Sequence, residues 1–144
     1  MQMPTHKISI AEFNNRQHRE QVIAIWQTVF GYKDAHNSPG TVIDKKLENQ
    51  DGLFLVAEND QVVVGTAMAG YDGHRGWIYS LAVLPEHQQQ GIGSALLAHA
   101  QDRLAKLGCL KINLQIMEGN EAVQRFYAVN GYSVEKRVSM GKIR

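Results

Sequence analysis

The stretch that most constrains this chain runs from Trp77 to Gly108, where a strand-like segment passes through two glycines into an amphipathic helix. Trp77 to Leu84 is rich in β-formers and is closed by Pro85. From Gly93 onward Leu96, Leu97, Ala100, Leu104 and Leu107 fall on one helical face until Gly108. A strand that feeds a helix so directly restricts the chain to architectures in which helices cover a sheet.

The flanking sequence continues the alternation. Lys7 to Ile10 reads as a short strand, and Val22, Ile25, Trp26 and Val29 recur at helical spacing before Gly31. Ser38 followed by Pro39 predicts a cap and first turn, with Ile43 and Leu47 as a thin apolar stripe before Gly52. Leu53 to Glu58 and Val62 to Tyr71 read as a hairpin about Asn59-Asp60-Gln61, and Asp72 to Gly76 as a second turn. Cys109 to Met117 reads as a strand, Glu121 to Asn130 as a helix ending at Gly131, and Tyr132 to Ile143 as one or two final strands. The expected fold is α/β (α+β): a mixed, largely antiparallel sheet of six or seven strands flanked by about four helices.

At 144 residues the chain is sized for one domain, expected over 1–144, and neither a repeat nor a low-complexity linker divides it. With 44% hydrophobic and 20% charged residues it has the composition of a chain that folds. No run approaches the roughly 18 apolar residues of a membrane span, and the opening MQMPTHKISI lacks an apolar leader, so the expected location is cytoplasmic. One cysteine, Cys109, cannot form an internal bridge, and the six histidines make no close pair of zinc-site type, so no metal is expected. Cys109 reads as a small buried hydrophobe at the start of a strand.

The formal charge of +1 hides a split at Asp72. Residues 1–72 carry six Lys/Arg against nine Asp/Glu, a net −3, and residues 73–144 carry nine against five, a net +4. The near-neutral total argues against a nucleic-acid partner. The split itself fits an anionic ligand on the second half and a cationic one near the first, or chance distribution of 29 charges.

Leu81-Ala82-Val83 ends the strand, and Gln88-Gln89-Gln90-Gly91-Ile92-Gly93-Ser94 leads into the helix. A helix N-terminus offers unpaired N–H groups and partial positive charge, and glycines permit close approach, so the loop suits a phosphate. The alternative is a helix start that merely needs permissive backbone. No Gly-Lys-Ser/Thr ending is present, which removes a nucleotide-hydrolysing loop. The spacing also fails the dinucleotide fingerprint, leaving a loop suited to a pyrophosphate that is not hydrolysed.

Gln88-x-x-Gly91-x-Gly93 after Leu81-Ala82-Val83, with a later Asn120 and the pair Phe126-Tyr127, resembles the GNAT superfamily of acyl-CoA-dependent N-acetyltransferases over residues 77–132. The resemblance implies that the amides of Gln89, Gln90, Gly91, Ile92, Gly93 and Ser94 hold the pyrophosphate of acetyl-CoA. It implies that the backbone of Leu81, Ala82 and Val83 bonds the pantetheine arm, with an N–H near Val83 facing the thioester oxygen. It places Asn120 beside the pantetheine and Tyr127 by the sulfur. Read without it, Asn120 is a helix N-cap and Tyr127 a core residue.

In that setting Tyr127 is the expected general acid. A phenol near pKa 10 protonates a thiolate near 8.5 at a cost of about 2 kcal/mol. The base is open: relatives often carry a glutamate five residues before the asparagine, where this chain has Gln115. Glu118, Asp72, His74 or a water on Tyr79 remain candidates.

Glu12, Glu20, Asp34, Asp44, Glu48 and Asp51 would suit a cationic acceptor or are solvated helix faces. Only 13 residues follow Gly131, so the acceptor wall is short. Such a wall fits an open site or one completed in a homodimer, whose interface Trp26, Phe30 and Trp77 would line if they are not core. The implied activity is direct transfer of acetyl from acetyl-CoA to a primary amine, either a small molecule or amino acid or a protein N-terminus. The rival is an acyl-CoA sensor that does not turn over.

Overall fold

The computed structural model describes residues 8–32 and 34–144. Lys7, expected to open the first strand, lies outside them. The chain divides into two compact units between Asn113 and Leu114.

The first unit holds a five-stranded sheet: β1 (Ile8–Glu12), β2 (Phe54–Asn59), β3 (Val62–Tyr71), β4 (Gly76–Val83) and β5 (Ile112–Asn113), in that spatial order. The first three pairings are antiparallel and β4–β5 is parallel. Between β1 and β2 the chain forms α1 (Asn15–Val29) and α2 (Pro39–Asn49), and α3 (Ile92–Lys106) links β4 to β5.

Local chemistry sets these boundaries. Asn14 Oδ1 accepts from the Gln17 amide at 3.0 Å, and the Asn14 amide donates to His18 Nδ1 at 2.8 Å, a reciprocal cap that opens α1. The β2–β3 connection is tighter than expected, because Asn59 pairs with Val62 inside the ladder. Only Asp60 and Gln61 turn, both at positive φ, as a two-residue loop of the type I′ kind demands.

The sheet is covered on both faces. Phe54, Val56 and Met68 pack with Val22, Ile25 and Trp26 of α1 and Ile43 of α2 in one buried cluster. Leu96, Leu97, Ala100 and Leu104 of α3 are buried as their spacing predicted, whereas Leu107 caps the helix and is exposed. Gly65 of β3 sets how closely α3 seats. A Cβ there would stand 3.0 Å from the Leu96 side chain and 3.0 Å from the Ala82 carbonyl. Trp26 is core, while Phe30 and Trp77 are half-buried.

The second unit contains α4 (Glu121–Val129), capped by Asn120, whose Oδ1 accepts from the Val123 amide at 3.3 Å. Three expectations are corrected here and at the end of the first unit. The strand expected over Cys109 to Met117 is two residues long, no strand is present over Tyr132 to Ile143, and among the described residues the sheet has five strands, not six or seven. Alternation names a face but not a partner, and a ladder forms only where backbone groups are paired. Cys109 is half-buried and its thiol turns onto the Lys111 carbonyl at 3.2 Å, outside any strand. Leu110 beside it is 97% exposed, so this segment lacks the burial that would extend β5. Val134, Val138, Met140 and Ile143 are exposed in the same way.

Candidate functional site

The far end of β4 departs from regular sheet. Thr66 pairs with Ala82 and Met68 with Tyr79, so Ser80 and Leu81 together stand opposite Ala67. This β-bulge holds Ser80 at φ +49, the left-handed region that side chains disfavour. Beyond it the Leu84 amide bonds the Val64 carbonyl at 2.9 Å, which fixes the phase of the strand. Since antiparallel partners alternate, Leu81 and Val83 direct their backbone groups to the opposite, β5 side. The β4–β5 ladder there is only Gly76 with Ile112 and Trp77 with Asn113. Among the described strands nothing pairs with that edge from Ile78 onward.

After Val83 the chain makes a single 3-10 turn, Pro85–His87, and Gln88 reaches back to donate from Nε2 to the Val83 carbonyl at 3.1 Å. Gln89 and Gly91 have φ of +62 and +81, and Gly91 is the N-cap of α3. No side chain caps this helix start and no acidic residue lies in its first turn. The first amides of a helix have no intrahelical partner, so they are available to an anion. A Cβ at Gly91 would meet nothing within 4 Å. Gln90, Gly91, Ile92 and His99 line one side of a cavity of about 340 Å³, faced by Ile8 and Ile10. The expected residues Leu81 to Val83 and Gln88 to Ser94 thus form one continuous edge and loop. Within it Ala82 and Ile92 bury their side chains and can offer only backbone.

In the C-terminal unit Tyr127 is buried, with Phe126 and Tyr132 against it edge-on at 5.1 and 5.6 Å. Burial first, and the neighbouring Tyr132 second, push its phenol well above an ordinary tyrosine. Asn120 is exposed and serves as N-cap, the role its residue type alone allowed. Gln115 donates from Nε2 to Ser139 Oγ at 2.5 Å, and Glu118 is exposed.

Two of the base candidates lie in the turn before β4, away from Val83. Asp72 Oδ1 accepts from the Arg75 and His74 amides at 2.7 and 2.8 Å, bonds that hold its carboxyl below the usual range. That turn precedes Gly76, and seven residue steps of about 3.3 Å place Val83 roughly 20 Å away. Asp72 and His74 are therefore turn residues. Tyr79 is raised by burial and by the charge of Asp72.

Sequence reasoning missed the support beneath the bulge. Trp26 Nε1–H donates to Thr66 Oγ1 at 2.9 Å, and Thr66 Oγ1–H donates to the Ser80 carbonyl at 2.8 Å. Burial raises the Tyr32 phenol, and the Ser80 side chain works against that rise. A threonine in a strand and a tryptophan on a helix stripe carry no signal of such a link. A serine interrupting the apolar run of β4 was the one visible trace.

Among the described residues no group of three or more His, Cys, Asp or Glu is arranged to hold a metal, and no helix is long and apolar enough to cross a membrane. The acetyltransferase (GNAT) family model matches residues 12–132. An acetyltransferase of Yersinia pestis (strain Pestoides F) is 37% identical over 123 residues, covering 85% of this chain and 86% of the relative. The PaiA N-acetyltransferase of Thermoplasma acidophilum, solved in complex with coenzyme A, superposes with a TM-score of 0.79 at 22% identity, covering 92% of this chain and 93% of that one. Ard1 of Thermoplasma volcanium gives 0.79 at 23% identity over 89% and 84% of the two chains. A family match over most of the length, on a strand end and helix start of this geometry, shows that the chain belongs to the GNAT family of acetyltransferases and is an acyltransferase.

Proposed function

We infer that the protein moves the acetyl group of acetyl-CoA directly to a primary amine, binding the donor along the end of β4 and the start of α3. The observation that carries this is the uncapped start of α3, open at Gly91 and continuous with an unpaired strand edge. The residues fit such a donor. Amides from Gln89 to Ser94 face a pyrophosphate with no carboxylate in the first helical turn to oppose it. Leu81 and Val83 offer the backbone pairing that an amide-bearing pantetheine arm needs, and Gln88 fixes the Val83 carbonyl. The Val83 N–H is the donor for the thioester oxygen as negative charge develops on it.

Acetyl-CoA supplies the activated acyl carbon; the new bond is N–C, the bonds lost are C–S and one N–H of the amine, whose proton passes to water, and the departing thiolate needs a proton. Tyr127 supplies it in this reading. Its raised pKa keeps the phenol neutral throughout the neutral range, so the proton is always present to give. Donation then costs more than the roughly 2 kcal/mol of an ordinary phenol, and developing charge on sulfur must offset the difference. Asn120 combines its cap with a contact to the pantetheine. No carboxylate is assigned as base, because Gln115 stands where one would serve and is engaged with Ser139.

The acceptor is a small-molecule amine or amino acid, with a protein N-terminus as the alternative, and the location is cytoplasmic, where a lone thiol such as Cys109 stays reduced. The test is release of CoA thiol with a panel of amines and peptides. Turnover with at least one acceptor is expected, and Tyr127→Phe should lower kcat by about 10²- to 10⁴-fold. Tight donor binding without release for any acceptor would establish a sensor instead. Full turnover in Tyr127→Phe would remove the tyrosine from the chemistry.

A further inference from the structure

Ser80 poses a physical problem that the fold must solve. A side-chain-bearing residue in the left-handed region is strained and persists only where its surroundings over-determine it. The surroundings here are specific. Thr66 and Trp26 are both fully buried. A hydroxyl has one hydrogen to give, and its lone pairs accept. With Trp26 Nε1–H bonded to Thr66 Oγ1 at 2.9 Å, the threonine hydrogen is left to point at the Ser80 carbonyl, 2.8 Å away. The chain of donors therefore runs one way, from α1 through β3 to the bulge in β4. The Thr66 hydroxyl thus holds Ser80 by its carbonyl.

The bulge decides which backbone groups reach the open edge. Removing the extra residue would shift the strand by one position, and Ala82 would face the β5 side in place of Leu81 and Val83. We propose that Thr66 is a positioning residue: its hydroxyl, oriented by the Trp26 indole, locks the Ser80 bulge and so holds the Leu81 and Val83 backbone in register for the donor's pantetheine arm. The proposal rests on the reading that this edge binds acetyl-CoA. Trp26 and Thr66 touch neither donor nor acceptor in this account, and they act only through Ser80.

The test compares Thr66→Val, Thr66→Ser and Trp26→Phe with Ile43→Val, a buried α2 position in the same core that has no part in the link. Thr66→Val keeps the shape but strands the Trp26 N–H and the Ser80 carbonyl. Trp26→Phe frees the threonine hydroxyl to rotate, and it serves if Thr66→Val does not fold. Two quantities are read well below each variant's Tm: the Kd for acetyl-CoA by calorimetry, and amide hydrogen exchange over Ser80 to Val83.

Thr66→Val and Trp26→Phe should each raise Kd by about tenfold or more and speed exchange over Ser80 to Val83. Thr66→Ser, which restores the hydroxyl, should return Kd to within about threefold of the parent. Ile43→Val should lower Tm while leaving Kd and this exchange unchanged. A Thr66→Val protein that loses only Tm, with parental Kd and exchange, overturns the proposal. If the parent itself shows no heat with acetyl-CoA, the donor reading and the donor part of the proposal fall together. Exchange over Ser80 to Val83 then still decides whether Thr66 locks the bulge.

Discussion

The two ends of β4 belong to one strand and have opposite construction. At its start Gly76 is closed in: a Cβ there would lie 2.8 Å from Cys109 Sγ and 3.0 Å from Leu104 Cδ1. It pairs on both sides, with Tyr71 of β3 and Ile112 of β5. At its end the strand bulges, pairs on one side and runs into Gly91, around which a Cβ would meet nothing. One glycine is present because there is no room, and the other because φ is +81. In the proposed reading, closed backbone stabilises the fold and open, unpaired backbone holds the donor.

Substitutions at three positions put that contrast to the test. The largest effect is expected at the open end. Gly91→Trp should weaken acetyl-CoA binding at least about a hundredfold, or roughly 2.7 kcal/mol, read by calorimetry. Gly91→Ala carries the same backbone strain without the bulk, so most of the affinity should survive in it. If both variants bind like the parent, the loop is only a helix start.

The closed end should respond in stability. Gly76→Val forces apart Cys109 and Leu104, and overpacking of this kind costs about 1–3 kcal/mol. For a chain of this size that lowers Tm by roughly 2–4 °C per kcal/mol, with Kd for acetyl-CoA unchanged. A large loss of affinity with parental Tm would reverse the roles given to the two ends.

The smallest effect concerns pH. Asp72 is held below the ordinary carboxylate range by the Arg75 and His74 amides. A depressed acid contributes stability that is present above its unfolded pKa near 3.9 and is lost as pH falls through the folded value. Asp72→Asn should therefore flatten the decline of Tm below about pH 4 and leave turnover at neutral pH intact. Loss of turnover there would return Asp72 to the list of bases.

The sequence made the first unit readable because its elements carry strong local signals. Val22, Ile25 and Trp26 mark α1 by period, and Leu96, Leu97, Ala100 and Leu104 mark α3. Gly91 and Gly93 mark the loop between β4 and α3. Tyr132 to Ile143 forms no strand for a physical reason: Val134, Val138 and Met140 alternate enough to resemble one, but pairing is not encoded in alternation. The bulge was hidden too, because a backbone slip of one residue leaves no mark in composition. Its lock joins Trp26, Thr66 and Ser80 across distances of 40 and 14 positions in the chain. Links of that range are set by tertiary packing alone.

The most direct test of which end of β4 binds is backbone amide shift mapping on isotope-labelled protein titrated with acetyl-CoA. Shifts should concentrate at Leu81, Val83 and Gln89 to Ser94, with Asp72 to Trp77 unmoved. Shifts centred on Asp72 to Trp77, or none at saturating acetyl-CoA, would contradict binding at the open end.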